Sequence, residues 1–136
     1  MGCGLDAVRL WTTTEPYSGF KSETISWRLL PALEHDRLRL FHRDGACVGL
    51  VTWAFMTREE FDSGDYCGLD VFARETGDNL VIVDMIAPHG KRDVLWISRE
   101  MRKIFWNMYP KVEEVFAHRG NRNGSFPNKG VWHESF

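Results

Sequence analysis

The chain has 136 residues, 43% of them hydrophobic and 26% charged, with a formal net charge of −2. That length supports one domain, residues 1–136, with a real core, and the near-neutral balance argues against a general nucleic-acid binder. No apolar run approaches the roughly 20 residues of a transmembrane helix, and the opening MGCGLDAVRLW lacks the basic and apolar regions of a secretory signal. The expectation is therefore a cytoplasmic protein. Cys3, Cys47 and Cys67 are odd in number and show no CxxC spacing, which fits reduced thiols. His35, His42, His118 and His133 show no metal-ligand spacing, so no metal site is expected.

In chain order, Ser22 to Leu30 carries Ile25 and Leu29 four apart and predicts a short helix that Pro31 ends or kinks. Leu38 to His42 and Cys47 to Ala54 are β-rich runs flanking Arg43-Asp44-Gly45, and Asp-Gly between such runs signals a hairpin. Thr57 followed by Glu60 is a capping-box pattern for a short helix reaching about Phe61, closed by Ser63-Gly64. Gly77-Asp78 turns the chain into the apolar strand Leu80 to Ile86. Beyond the turn at Pro88 to Gly90, Val94, Ile97, Met101, Ile104/Phe105 and Met108 recur at helical spacing, with Asp93 as the N-cap. Val112 to His118 reads as a further strand and Arg119 to Gly124, RGNRNG, as a loop.

One residue in this pattern stands out chemically. Asp84 sits among Val81, Ile82, Val83, Met85 and Ile86, where an ionised carboxylate costs several kcal/mol unless it is hydrogen-bonded or paired. Functional sites tolerate such costs; the plainer alternative is a strand-end carboxylate bonded to backbone or to an arginine. His89, on the following turn, is the nearest imidazole in sequence. Lys91, Arg92, Arg99, Arg102 and Lys103 form either a solvated helix face or a surface suited to an acidic partner.

Leu10-Trp11, Leu30-Pro31-Ala32-Leu33, Thr52-Trp53, Thr76-Gly77-Asp78, the block Val83-Asp84-Met85-Ile86-Ala87-Pro88-His89-Gly90, and Met101-Arg102-Lys103 fall in register with one family. From about Leu10 to Val131 the chain resembles the RTX toxin-activating lysine acyltransferases, and the Asp-x-Ile-Ala-Pro-x-Gly block is the most specific of these marks. The resemblance implies an α/β (α+β) fold of the acetyltransferase-superfamily type, with a central mixed, mostly antiparallel sheet flanked by helices. It implies transfer of a fatty acyl group from acyl carrier protein to internal lysines of a protoxin or similar client. The acyl-carrier-protein thioester would be the donor substrate, with no bound cofactor, and a homodimer is implied, for which the six tryptophans are candidate surface residues.

The family site pairs one Asp with one His. Asp84 falls on the Asp, while Tyr17 occupies the position of the His. An unperturbed phenol, with a pKa of about 10, is a poor general base, although it can donate a hydrogen bond to an oxyanion or a proton to a departing thiolate. The candidate catalytic residues are thus Asp84, Tyr17 and His89, with Gly90, Lys91, Arg92, Arg99, Arg102 and Lys103 as candidate substrate-binding residues. Two other readings remain open: a catalytically impaired relative that binds a carrier or client, and a small CoA-dependent N-acetyltransferase.

Overall fold

The computed structural model describes residues 29–63, 71–74, 79–119 and 122–128. Residues 29–34 are helical, and Pro31 lies inside that stretch rather than ending it. Proline withholds only the bond its own nitrogen would donate; its carbonyl still accepts the amide of His35 at 3.1 Å. The helix stops instead at Asp36, whose φ of 55° turns the chain while the amides of Asp36 and Arg37 bond back to the carbonyls of Leu33 (3.3 Å) and Ala32 (2.7 Å). This is a Schellman closure with aspartate in the left-handed position usually held by glycine. The remainder of the expected helix, residues 22–28, lies outside the described residues.

Strands β1 (Leu38–Arg43) and β2 (Ala46–Met56) form the expected antiparallel hairpin. Asp44 (φ 53°) and Gly45 (φ 83°) both take positive φ, as a two-residue type I′ turn requires, and so match the twist of the strands. Helix α1 (Arg58–Ser63) comes next and shows the reciprocal capping box: Glu60 N donates to Thr57 Oγ1 at 3.1 Å, and Thr57 N to Glu60 Oε1 at 2.8 Å. A 3₁₀ turn, Val71–Ala73, leads to Arg74, whose guanidinium grips both Glu60 carboxylate oxygens at 2.7 and 2.9 Å. That grip, with the capping bonds, lowers the Glu60 pKa to about 2.

Strand β3 (Asn79–Ile86), helix α2 (Lys91–Met108), and strands β4 (Glu114–Arg119) and β5 (Arg122–Pro127) complete the order. The five strands lie side by side in sequence order. All neighbours are antiparallel except β3 and β4, whose parallel pairing is made possible by the α2 crossover. Strand β5 corrects the loop expected over Arg119 to Gly124. Its Asn, Gly and Ser are poor strand formers, and backbone pairing with β4 overrides them.

Helical segments cover both faces of the sheet. On one, Ile97, Met101 and Phe105 of α2 pack with Val51, Trp53, Leu80, Ile82 and Val115; Trp53 meets Phe105 edge-on with centroids 5.2 Å apart. On the other, Leu29, Ala32, Phe61, Val71 and Phe72 pack with Leu50, Ala54, Met56, Val81 and Ile86. Gly49 lets α2 approach closely, since a Cβ there would collide with Ile97 Cδ1. This is the mixed, mostly antiparallel sheet flanked by helices that the resemblance implied. Among the described residues no helix is long and apolar enough to cross a membrane.

Candidate active site

Asp84 is buried at 2% exposure and accepts a hydrogen bond from Thr52 Oγ1, 3.0 Å from its Oδ2. The two residues face each other across β2 and β3, and the next pair is Trp53 with Ile82, which leaves Val83 as an extra residue. That β-bulge resets the alternation of side chains. Leu80 and Ile82 belong to the α2 side of the sheet, together with Met85 beyond the bulge, whereas Val81, Val83 and Ile86 belong to the opposite side. Asp84 therefore shares the face of Ile86 and, through Thr52, that of Leu50 and Ala54, away from α2. Simple alternation with Leu80 and Ile82 would have placed it toward α2.

The parallel pairing of β3 with β4 runs from Leu80–Val115 to Ile82–Ala117, whereas β3 stays paired with β2 as far as Leu50–Ile86. Asp84 lies beyond the last parallel pair, beside the point where β3 and β4 part. Four residues on, the chain turns through Pro88 and His89 to Gly90, which caps α2 with φ 114° and no side-chain hydrogen bond. The expectation that Asp93 caps the helix is thus corrected. Asp93 is one turn further in, 3% exposed, and paired with Arg43 of the β1–β2 hairpin. The Arg43 guanidinium also lies over the Trp96 ring at 5.0 Å, and Trp96 meets Phe41 edge-on. The start of α2, and with it the turn after β3, is tied to the hairpin through these contacts.

Among the described residues, the α2 candidates Arg99, Arg102 and Lys103 do not gather round Asp84. Tyr17 lies outside the described residues. His89, Gly90, Lys91 and Arg92 are exposed at the turn. Arg99 and Lys103 are exposed on α2, Arg102 is half-buried, and Lys103 pairs with Glu100 at 3.5 Å. These α2 residues occupy the layer on the far side of the sheet from Asp84. Thr52 is the neighbour that sequence reasoning does not single out for chemistry. Its place in the Thr52-Trp53 mark does not reveal this contact, which depends on a register across β2 and β3 that the Val83 bulge shifts. Of the tryptophans considered for a surface, Trp53 is fully buried, Trp96 is half-buried and Trp106 is 48% exposed; Trp11, Trp27 and Trp132 lie outside the described residues.

A cavity of about 660 Å³ opens elsewhere, lined by Phe55, Leu80, Met108, Tyr109, Val112 and Phe116 among others. It sits at the start of β3, four residues or roughly 13 Å along the strand from Asp84. Behind it the buried Arg37 donates to the Tyr109 hydroxyl and, at 2.7 Å, to the Arg74 carbonyl. Trp53 Nε1 donates to the same hydroxyl at 3.0 Å. This network pins the end of α2 to β2. Among the described residues no group of three or more His, Cys, Asp or Glu is placed to hold a metal ion.

Residues 6–126 match the model of the RTX toxin acyltransferase family. The chain belongs to that family. It is 30% identical over 117 residues to a protein-lysine myristoyltransferase of Kingella kingae, covering 85% of this chain and 68% of that protein. It is 26% identical to a leukotoxin-activating lysine-acyltransferase of Aggregatibacter actinomycetemcomitans, over 85% of this chain and 67% of that one. An RTX-III toxin-activating lysine-acyltransferase of Actinobacillus pleuropneumoniae is 30% identical over 109 residues, 79% of this chain and 62% of that one. Membership of the RTX toxin acyltransferase family makes this chain a lysine acyltransferase, and its relatives act in toxin activation. Asp84, inside the matched residues, is buried beside the parting of β3 and β4.

Proposed function

We propose that this protein moves a fatty acyl group from the thioester of acyl carrier protein to the ε-amino group of lysines in a protoxin or similar client, with Asp84 as the central catalytic residue. The observation that carries this reading is a buried carboxylate, held by Thr52, where β3 leaves β4 and just before the turn into α2. In the reaction a lysine ammonium loses its proton, its nitrogen attacks the thioester carbonyl, and a tetrahedral oxyanion forms. The C–S bond then breaks, the attacking nitrogen gives up its second proton, and that proton passes to the leaving thiolate. Asp84 favours the first step by drawing the ammonium out of water and receiving or relaying its proton. Tyr17 supplies an O–H to the oxyanion or the leaving sulfur, and His89, exposed on the turn, is the alternative proton carrier.

Backbone N–H groups at Gly90 and the start of α2 face the donor's phosphate, with the helix dipole in support. Lys91 and Arg92 at the turn, with Arg99, Arg102 and Lys103 further along α2, attract the acidic carrier protein. A homodimer in the cytoplasm is the expected working form.

Intact-mass spectrometry of a lysine-bearing acceptor, incubated with this protein and acyl carrier protein charged with chains of several lengths, tests the reading. Asp84→Asn is expected to lower transfer about 10²- to 10⁴-fold, the range of a lost acid–base group, without unfolding the protein. Tyr17→Phe and His89→Ala then separate the two proton-carrier roles. Transfer at the wild-type rate by Asp84→Asn would overturn the assignment, and wild-type transfer from acyl-CoA alone would overturn the carrier-protein donor.

A further inference from the structure

We infer that Thr52 is a positioning residue for Asp84, setting the angle at which the carboxylate meets the reacting amine. The inference rests on the catalytic reading of Asp84 and adds a residue to it. Thr52 is fully buried, its Cα is the register partner of Asp84, and its Oγ1 lies 3.0 Å from Asp84 Oδ2. Carboxylate torsions are broad and roughly two-fold, so an aspartate at a widened, bulged point of a strand is not oriented by its own rotamer. A β-branched residue is stiff at χ1, and strand β2 is buried along Val48 to Met56. The hydroxyl is thus a rigid donor on a rigid strand.

The bulge at Val83 belongs to the same device. It brings Asp84 onto the face of Thr52 while Ile82 stays on the face of α2. Replacing Thr52 by Val keeps the shape and removes this donor, so the carboxylate loses the hydroxyl bond to Oδ2 without a cavity opening. Misplacement of a catalytic group by about 1 Å costs on the order of 10²-fold in rate.

Steady-state acyl transfer by Thr52→Val, Thr52→Ser and Thr52→Ala, with thermal midpoints for each, tests the inference. Thr52→Val is expected to lower kcat about 10- to 100-fold while leaving KM for the acyl-carrier thioester near wild type. Thr52→Ser is expected to restore most of kcat. Thr52→Ser and Thr52→Ala leave similar space and differ by the hydroxyl, so this pair decides the matter even if Thr52→Val folds poorly. Equal kcat in Ser and Ala, or unchanged kcat in a folded Val variant, overturns the inference. If Asp84→Asn is inactive while Thr52→Val is normal, only the positioning role falls. If Asp84→Asn is active, the catalytic reading falls and this role with it.

Discussion

Asp84 and Asp93 are both almost completely buried, at 2% and 3% exposure, yet they are held by different chemistry. Asp93 is paired with the guanidinium of Arg43, which comes from another element and cross-links the hairpin to α2. Asp84 takes a hydroxyl bond from Thr52 on the neighbouring strand. A guanidinium compensates a buried charge and bolts two elements together, whereas the Thr52 hydroxyl ties the Asp84 carboxylate to the register of β2 and β3. Burial alone therefore does not tell Asp93, a tie between two elements, from Asp84, the proposed catalytic carboxylate.

The sharpest way to break this contrast is to neutralise each carboxylate in turn. Asp84→Asn is expected to remove about 10²- to 10⁴-fold of the acyl transfer with little change in unfolding midpoint. Asp93→Asn is expected to lower the midpoint and leave the rate per folded molecule near wild type; the reverse pattern would exchange the two roles. A smaller effect is expected from Arg43→Met, which leaves Asp93 buried without its cation. Loss of one partner of a buried pair costs about 3–5 kcal/mol, and because the Arg43 side chain is 43% exposed the lower end of that range applies. Urea unfolding should show it, and the double variant Arg43→Met/Asp93→Asn should recover part of the loss.

A half-buried carboxylate, Glu60, gives the smallest effect and a useful control. Arg74 and the capping bonds hold the Glu60 pKa at about 2, below its ordinary 4.5. The folded value is depressed, so the stabilisation is complete above about pH 4.5 and is lost as pH falls toward 2. For this half-buried pair, discounted for screening by solvent, it amounts to about 1 kcal/mol. Urea midpoints measured across that window should fall less steeply in Glu60→Gln than in wild type. Equal slopes would show that the Glu60–Arg74 pair contributes nothing.

Local chemistry is the legible part of this fold. Asp44-Gly45 specifies its turn through two positive φ angles, Thr57 and Glu60 specify each other, and the spacing of Ile97, Met101 and Phe105 specifies the buried stripe of α2. Asp84 is legible as a costly residue in an apolar strand, and the structure buries it. The features that escape a reading of the sequence are set mostly by distant partners. Asp93 has the composition of an N-cap, but Arg43, far away in sequence, claims its carboxylate. Arg122–Pro127 has the composition of a loop, but β4 offers it a ladder. Thr52 becomes a partner of Asp84 only once the bulge has fixed the register between their strands. Pro31 has the look of a helix end or kink, yet residues 29–34 are helical on both sides of it and its carbonyl accepts the His35 amide.

The extra residue at Val83 carries a consequence for how this strand tolerates change. Removing it would let β3 run without interruption, with Asp84 still opposite Thr52 and Met85 still toward α2. Bulges add twist and bend to a strand, and the parallel ladder with β4 ends at Ile82, the residue just before this one. A chain shortened by that single residue would extend the ladder, gain regularity and draw β3 and β4 together beside Asp84. The irregularity thus holds β3 and β4 apart beside Asp84, and a deletion that perfects the sheet would bring them together there.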